Sequence, residues 1–234
     1  MEVSYVLAGY NEGKLIESSI KKVVKMLERD FDDYELILVN DASKDKTGEV
    51  MKRYAEENPK IRYLENVVNL NFGTATLRGI MVATKPYVVY NAVDLPLPLN
   101  DTKDIIRKAR KYDVLVLERV NYNAVKWRRI TSKGNSALLH LLFPILMRGT
   151  PVTNYVQVFR TDQLKRIMPL ARSPIFVWPE MIFRAKLLKM RVGNVKNQPD
   201  IKEARSGAFG HPHDIIWGMY DMFRFRIRCW QHNI

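Results

Sequence analysis

The chain has 234 residues, 47% of them hydrophobic, and a formal net charge of +13 at pH 7. This length suits one α/β domain, or a domain with a small appendage, and the apolar content argues against a disordered chain. The positive charge predicts an anionic partner: nucleic acid, a phosphorylated ligand or an acidic membrane surface. Because Cys229 is the only cysteine, an intramolecular disulfide and a cysteine-built zinc site are excluded, and we expect a reducing compartment.

The sequence predicts neither a membrane span nor a secretion signal. The best candidate for a span, residues 137–147, is interrupted by His140 and Pro144 and falls short of the roughly 18 apolar residues that a span needs. The chain opens on a β-rich segment without the basic, apolar and small-residue zones of a signal peptide. We therefore expect a cytoplasmic location.

Short apolar β-rich runs alternate with helix-like stretches over the first 120 residues. This order predicts βαβ units and a mostly parallel sheet, since the runs are short and continuously apolar. The predicted strands are 3–7, 34–39, 61–64, 87–90 and 114–117, and the predicted helices are 13–29, 45–57, 74–84 and 101–111. Farther along, we predict a helical region at 126–148, a strand at 155–159, a helix at 177–190 and a strand near 191–198.

Two polar turns follow the first two predicted strands, at residues 8–12 and 39–47. The carboxyl ends of strands in an open α/β sheet meet at the crevice where ligands bind. Tyr10 offers a ring to stack a base, Glu12 and Asp41 can accept hydrogen bonds from base or ribose, and helix N-termini favour anions. The turns therefore suggest a nucleotide-sugar site.

The same polar residues have a simpler interpretation. Asn11, Asp41, Ser43 and Asp45 are residue types that cap helices and form turns without binding anything. For each of them alone the two interpretations are about equally good, but two such clusters at successive strand ends favour a site.

Asp94 follows the predicted strand 87–90 and should reach the same edge of the sheet as Asp41. A divalent cation that bridges a diphosphate needs hard oxygen ligands, often only one or two from the protein. Asp94 is therefore a candidate metal ligand. The alternative is a turn residue before the prolines that follow it.

A basic segment runs from Arg119 to Ser132 and includes Arg128. Arginine forks bind phosphate in bidentate fashion, so the segment suits an anionic acceptor, although a solvated basic face has the same composition. Arg160 and Arg205 either join this site or lie on the surface.

We predict two parts of the chain: a catalytic domain of residues 1–210 and a final segment of residues 211–234. Within the final segment, the pattern of residues 213–231 predicts an amphipathic helix. Such a helix either lies in a bilayer interface or packs on its own domain. Arg224 and Arg228 fall on its polar side. Its predicted apolar face consists of Ile215, Ile216, Met219, Met222, Phe223, Ile227 and Trp230.

The order and spacing of these motifs, from residue 3 to about 207, resemble family 2 glycosyltransferases, and among them the polyprenyl- or dolichyl-phosphate sugar transferases. Residues 8–12 match the family's Pro-Ala-Tyr-Asn-Glu-like turn, and 40–47 match its Asp-Asp-Gly-Ser-x-Asp-x-Thr run. The resemblance implies a GT-A, Rossmann-like nucleotide-diphospho-sugar transferase fold. It also implies that the nucleotide is held by Ala8, Tyr10, Glu12, Asn40, Asp41 and Asp94.

Later motifs depart from the family pattern. The Asp-x-Asp metal motif of the family aligns with Ala92-Val93-Asp94, so the resemblance implies that Mg²⁺ or Mn²⁺ is bound by Asp94 alone. The glutamine that follows this motif in the family is replaced by Pro96. The carboxylate that would act as base becomes Asn154. The residues that the resemblance assigns to the acceptor phosphate and to the departing diphosphate are Arg119, Arg128, Ser132 and Arg205.

The absence of a carboxylate base at Asn154 affects which acceptor the enzyme can use. A hydroxyl acceptor must lose a proton during attack, whereas a phosphate is already ionised. We therefore expect an inverting transferase that moves sugar from a GDP- or UDP-sugar to a polyprenyl phosphate at the cytoplasmic membrane face. Whether it forms a homo-oligomer or binds a membrane-protein partner is left open.

Two alternative functions remain: a soluble transferase acting on a saccharide hydroxyl, and a degenerate domain that binds a nucleotide or partner without chemistry. Nucleic-acid binding is the least expected, since no recognition motif occurs.

Overall fold

The computed structural model describes residues 1–95, 97–119, 126–149, 156–171, 173, 175–197 and 212–231. The strands are β1 (Glu2–Gly9), β2 (Asp33–Asn40), β3 (Ile61–Glu65), β4 (Tyr87–Ala92), β5 (Val114–Arg119), β6 (Val156–Arg160) and β7 (Val192–Asn197). The helices are α1 (Ile16–Asp30), α2 (Thr47–Glu57), α3 (Asn71–Met81), α4 (Leu99–Ala109), α5 (Lys126–Leu142), α6 (Thr161–Leu164), α7 (Val177–Leu187) and α8 (Pro212–Gln231).

The described strands form one sheet in the order β3-β2-β1-β4-β6-β5-β7. Strands β1 to β4 are parallel, β5 pairs with β7 in parallel, and β6 runs antiparallel to both β4 and β5. The predicted α/β architecture with a mostly parallel sheet is confirmed. Helix α3 begins at Asn71, three residues before its predicted start.

Both faces of the sheet are covered, which explains the continuous apolar runs in its strands. Successive residues of β1 point to opposite faces. Leu7 lies in one hydrophobic cluster with Ile20 of α1, and Val6 lies in the other with Ile80 of α3 and Ile182 of α7. The core therefore consists of two layers, one on each side of the sheet.

The strand register brings the predicted turns to one edge. Gly9 pairs with Asn40 where β1 and β2 end, and Ala8 pairs with Ala92 at the end of β4. The segments that follow these three strands therefore start side by side at the carboxyl edge. Arg160 does not reach this edge, because it pairs with Tyr87 at the start of β4 and forms ion pairs with Asp113 and Asp162.

A buried carboxylate ties the middle of the sheet to the loop before β4. Glu35 Oε1 accepts hydrogen bonds from Ser4 Oγ (2.6 Å), Thr84 N (2.6 Å) and Thr84 Oγ1 (2.8 Å), and Oε2 accepts from Arg62 Nη1 (3.1 Å). Burial acts to raise the pKa of Glu35, but these hydrogen bonds outweigh it and lower that pKa. The carboxylate is therefore ionised and fully used within the fold.

The C-terminal helix packs on its own domain, but the predicted apolar face is wrong. Of the residues assigned to that face, only Met222 is buried; Phe225 and Cys229 are buried beside it. The Phe225 ring lies 5.7 Å from both Phe143 and Phe176, centroid to centroid. The helix has two apolar faces, which the sequence pattern merged into one. Among the residues that the structure describes, no helix is long and apolar enough to cross a membrane.

Candidate active site

The turns after β1 and β2 are hydrogen-bonded to each other. Asn11 N donates to Ser43 Oγ (3.0 Å), and Asn11 Oδ1 accepts from Lys44 N (2.8 Å). Glu12 N donates to Thr47 Oγ1 (2.8 Å). Asn11 has a φ of 54°, a left-handed conformation that asparagine tolerates better than most residues. The two turns therefore form one unit.

Asp45 completes this unit. Its Oδ1 accepts from the backbone N and the hydroxyl of Thr47, and its Oδ2 accepts from Gly13 N (2.9 Å). Hydrogen bonds within the protein thus account for Asn11, Ser43 and Asp45, as their interpretation as turn residues predicts. These residues shape the edge at which a ligand would bind.

Asp41 anchors the end of β2 to the loop that precedes α3. It is 2% exposed, and its Oδ1 accepts from Asn66 Nδ2 (2.6 Å) and Leu70 N (2.9 Å). Arg78 in turn donates to Asn66 Oδ1. Asp41 therefore holds a defined orientation at the carboxyl edge while it stabilises the loop.

Two predicted nucleotide residues lie beneath the turns. Asn40 is buried; its amide donates to Tyr63 Oη (3.2 Å) and Glu65 Oε1 (3.1 Å), and its Oδ1 accepts from Ser43 N (3.1 Å). Ala8 is also buried. The geometry thus makes both residues supports of the turns, and contact with a ligand stays a prediction for them.

Tyr10 and Glu12 are nearer to solvent. The Tyr10 side chain is 42% exposed, next to the interlocked turns. Glu12 is half-buried, and its carbonyl accepts from Leu15 N and Ile16 N, both at 2.9 Å, where α1 begins. Asp41 N donates to Gly9 O (3.0 Å), which ties Asp41 to the residue before Tyr10. An exposed ring can stack on a nucleobase, and a carboxylate can accept hydrogen bonds from it.

Asp94 lies on an exposed turn that follows β4. Leu95 N donates to Ala92 O (2.9 Å), and Leu95 has a φ of 52°. Ser19 Oγ of α1 donates to Val93 O (2.6 Å), which holds the turn against the domain. The carboxylate therefore starts from the same edge of the sheet as Tyr10 and Asp41.

The protein ligands available at this edge suit a divalent cation whose other coordination positions are filled by phosphate oxygens and water. In the part of the chain that the structure describes, no group of three or more His, Cys, Asp or Glu could hold a metal. Mg²⁺ and Mn²⁺ accept a single protein carboxylate when phosphate oxygens and water fill the other positions. Asp94 therefore fits a cation bound together with a diphosphate and does not form a prebuilt metal cage.

The other predicted residues are less well defined. Arg119 ends β5, which is parallel to β4, so its backbone lies at the carboxyl edge; Arg128 and Ser132 belong to α5. The side chains of these three lie outside the described part of the structure. Pro96, Asn154 and Arg205 lie outside it altogether.

Sequence reasoning missed Asn66, which orients Asp41. The signal was present, because Asn66 directly follows β3 just as Asp41 follows β2. Asn91, on β4, was missed for another reason: it lies inside an apolar strand, and only the folded structure shows what its side chain contacts.

The comparisons with known proteins cover this same region. The sequence profile of "Glycosyl transferase family 2" matches residues 4–168, from β1 to the loop after α6. The chain belongs to glycosyl transferase family 2. Its match therefore includes the two interlocked turns and Asp94.

Two curated relatives of this family 2 chain extend the likeness. Glycosyltransferase AglD of Haloferax volcanii is 32% identical over 201 residues, which are 82% of this chain and 32% of AglD. Dolichyl-phosphate beta-glucosyltransferase ALG5D of Trichomonas vaginalis is 26% identical over 211 residues, 82% of this chain and 64% of that protein. The chain thus spans less than two thirds of the length of either relative.

A solved structure confirms the fold. Glucosyl-3-phosphoglycerate synthase from Mycobacterium tuberculosis, in complex with Mn²⁺, UDP and glucosyl-3-phosphoglycerate, matches with a TM-score of 0.66 at 16% identity. The match covers 96% of this chain and 79% of that one. The GT-A fold expected from the resemblance is therefore confirmed, and at this identity the likeness concerns the fold alone.

Proposed function

We propose that this family 2 glycosyltransferase is an inverting enzyme that transfers a sugar from a GDP- or UDP-sugar to the phosphate of a polyprenyl lipid. The observation that carries the proposal is the meeting of the two interlocked turns and the Asp94 turn at one sheet edge. The name of the dolichyl-phosphate beta-glucosyltransferase relative supports the acceptor class.

In this proposal four side chains bind the nucleotide-sugar donor, three of them at the carboxyl edge of the sheet and the fourth, Arg205, outside the described residues. Tyr10 stacks on the base, and Asp41, oriented by Asn66 and Leu70, accepts a hydrogen bond from base or ribose. Asp94 holds Mg²⁺ or Mn²⁺, which when bound neutralises charge on the departing nucleoside diphosphate. Arg205 adds positive charge at the same group.

The acceptor requires no base in this scheme. An ionised phosphate oxygen of the lipid attacks the anomeric carbon while the bond from that carbon to the diphosphate oxygen breaks, and the nucleoside diphosphate leaves with the electron pair. No proton has to be removed, so Asn154 in place of a carboxylate is compatible with turnover. Arg119, Arg128 and Ser132 position the acceptor phosphate.

A thermal unfolding series tests the donor half of the proposal. We expect UDP or GDP to stabilise the protein, and Mn²⁺ to increase the effect, because a ligand at 100 times its dissociation constant adds about 2.7 kcal/mol to the free energy of unfolding. CDP and dTDP serve as controls. Absence of any nucleotide effect in folded protein would favour a degenerate domain without chemistry.

A transfer assay tests the acceptor half. Purified protein with the stabilising nucleotide's labelled glucose or mannose conjugate is offered a short polyprenyl phosphate, the matching polyprenol, or a free saccharide. We expect label in the phosphate lipid alone. Label in the saccharide would contradict the proposal and support the rival that acts on a hydroxyl.

The outward face of α8 provides a membrane contact for such an enzyme. It carries large apolar side chains that are 42–73% exposed, on the side of the helix opposite Met222, Phe225 and Cys229. Arg224 and Arg228 lie next to this stripe in sequence. The stripe, which we call the outer face, consists of Ile216, Met219, Tyr220, Phe223, Ile227 and Trp230.

Charge favours lipid over a second copy of the chain as the occupant of the outer face. Each copy has a formal net charge of +13, so two outer faces would bring like charges together, whereas an anionic bilayer attracts both the arginines and the apolar stripe. In this proposal residues 1–210 form the catalytic unit, and the helix within 211–234 rests on the inner membrane face.

Vesicle sedimentation tests the membrane contact. We expect the double variant Phe223→Glu/Ile227→Glu to lose binding to phosphatidylglycerol vesicles without a fall in melting temperature, because both side chains are about half exposed (46% and 54%). Met81→Glu, an exposed apolar position on α3, should bind like the unmodified protein. Equal binding by the double variant, or a dimer that the double substitution dissociates, would contradict it.

A further inference from the structure

Asn91 is a fully buried amide at the second-to-last position of β4, three residues before Asp94. Buried amides are costly unless their hydrogen bonds are made. Its Nδ2 donates to Tyr5 Oη (3.0 Å) and Leu97 O (3.1 Å), and its Oδ1 accepts from Leu97 N (3.2 Å) and Ala92 N (3.1 Å). Each polar atom of the side chain therefore has two partners.

The two hydrogen bonds between the Asn91 side chain and the Leu97 backbone resemble the backbone pairing between two adjacent β-strands. The side chain of Asn91 bonds both the N–H and the carbonyl of Leu97, as a neighbouring peptide group would. It thereby fixes the end of the loop that starts at Ala92 and has Asp94 near its middle. The Asn91 side chain thus connects the end of β4 to Leu97 and closes the loop between them.

Two further contacts hold the first half of this loop. Ser19 Oγ donates to Val93 O (2.6 Å). The Val93 side chain packs so closely on Gly9 that a Cβ at that position would lie 2.6 Å from Val93 Cγ2. The segment before Asp94 is therefore held against α1 and β1, and the segment after it is held by Asn91.

The loop has only one acidic residue with which to bind a cation, since Asp94 is the sole carboxylate between residues 91 and 98. A second carboxylate could compensate for a misplaced first one, but none is available in this segment. We therefore expect metal affinity to depend on the position of the Asp94 backbone, and that position to depend on how the loop is closed.

We infer that Asn91 is a positioning residue that holds Asp94 where it binds the divalent cation of the donor complex. The inference rests on the proposed function, since it concerns the same metal. Outer residues that orient a metal ligand change metal affinity by about 10- to 100-fold when they are removed. Asn91 acts on Asp94 through the loop backbone, since none of its four hydrogen bonds is to Asp94 itself. The loss should fall on the metal-dependent part of donor binding and not on the base-binding turns, which Asn91 does not contact in any of its four hydrogen bonds.

The test measures Mn²⁺ binding by thermal shift at saturating UDP, and again at saturating GDP, in Asn91→Ala and Asn91→Ser. We expect Asn91→Ala to raise the half-saturating Mn²⁺ concentration by about 10- to 100-fold, with the affinity for the metal-free nucleotide unchanged. Asn91→Ser keeps a small polar side chain at this position and adds neither a charge nor a metal ligand, so we expect a smaller increase. This variant also serves if Asn91→Ala does not fold.

Tyr5→Phe is the matched control. It removes a hydroxyl from the same buried cluster and leaves the two Asn91–Leu97 hydrogen bonds in place, so we expect a lower melting temperature with an unchanged Mn²⁺ requirement. A folded Asn91 variant with the Mn²⁺ requirement of the unmodified protein would overturn the inference, as would an equal shift in Tyr5→Phe.

Failure of the proposed function gives a different result. If the unmodified protein binds neither UDP nor GDP, the proposed donor site is wrong and the inference fails with it. If it binds nucleotide without any effect of Mn²⁺, the donor site stands, but the metal at Asp94 and the positioning of Asp94 by Asn91 are both wrong.

Discussion

Asp94→Ala should reduce sugar transfer by about 100- to 1,000-fold or more, the usual cost of losing a group that stabilises charge on a leaving group. Asp94 is the one carboxylate of its loop, so no neighbour in that segment can take over its function. The side chain is exposed on a turn, and we therefore expect the variant to stay folded, with a change in the free energy of unfolding of about 1 kcal/mol at most. Steady-state transfer rates and a urea melt measure the two effects.

Asp101→Ala is the control for this substitution. Asp101 is an exposed carboxylate in the first turn of α4, seven residues farther along the chain. Its removal changes the net charge by the same amount, so we expect near-normal transfer. Full activity of Asp94→Ala, or an equal loss in Asp101→Ala, would remove Asp94 from the proposed metal site.

The largest effect on stability is expected at Glu35. Glu35→Gln should lower the free energy of unfolding at pH 7 by about 2 kcal/mol. The amide oxygen can still accept from Ser4 and Thr84, but the amide NH2 then faces the Arg62 guanidinium, and the hydrogen bonds lose the assistance of the carboxylate charge. Urea unfolding measures the difference. Glu17→Gln on α1 is the control; this carboxylate is 46% exposed beside Lys21 and Arg53, so its loss should have a much smaller effect on stability.

The effect of Glu35 should also depend on pH. Burial raises the pKa of this carboxyl, but the hydrogen bonds from Ser4, Thr84 and Arg62 outweigh it, so the folded-state pKa lies below the usual value. A lowered pKa gives stability that is present above the unfolded pKa of about 4.3 and lost as the pH falls through the folded pKa. The difference between the unmodified protein and Glu35→Gln should therefore narrow below pH 4. A constant difference from pH 7 to pH 3 would contradict this explanation.

The order of strands and helices could be predicted because each element is indicated by the residue types within its own short segment. Apolar runs such as residues 34–39 are followed by polar turns, and this alternation identifies parallel strands covered on both faces. The predicted polar residues at strand ends also lie at one edge, since parallel strands finish together. Asp94 and Tyr10 needed nothing more than their position after a strand to become candidates.

Other features depend on partners that are distant in the sequence. Asp41 accepts from Asn66, 25 residues away, and Asn91 donates to Tyr5, 86 residues away; no periodicity reports such pairs. The position of Arg160 was open for the same reason, because the antiparallel direction of β6 sends it to the opposite edge.

The sequence by itself determined the α/β class, the polar strand ends and the presence of a C-terminal helix, since each depends on residue types within one short segment. Only the tertiary structure decided which side of α8 is buried. The helix packs through Met222, Phe225 and Cys229 and leaves a second apolar face exposed. A hydrophobic pattern identifies the apolar residues of a helix, but the neighbouring elements, here the rings of Phe143 and Phe176, select the ones that are covered.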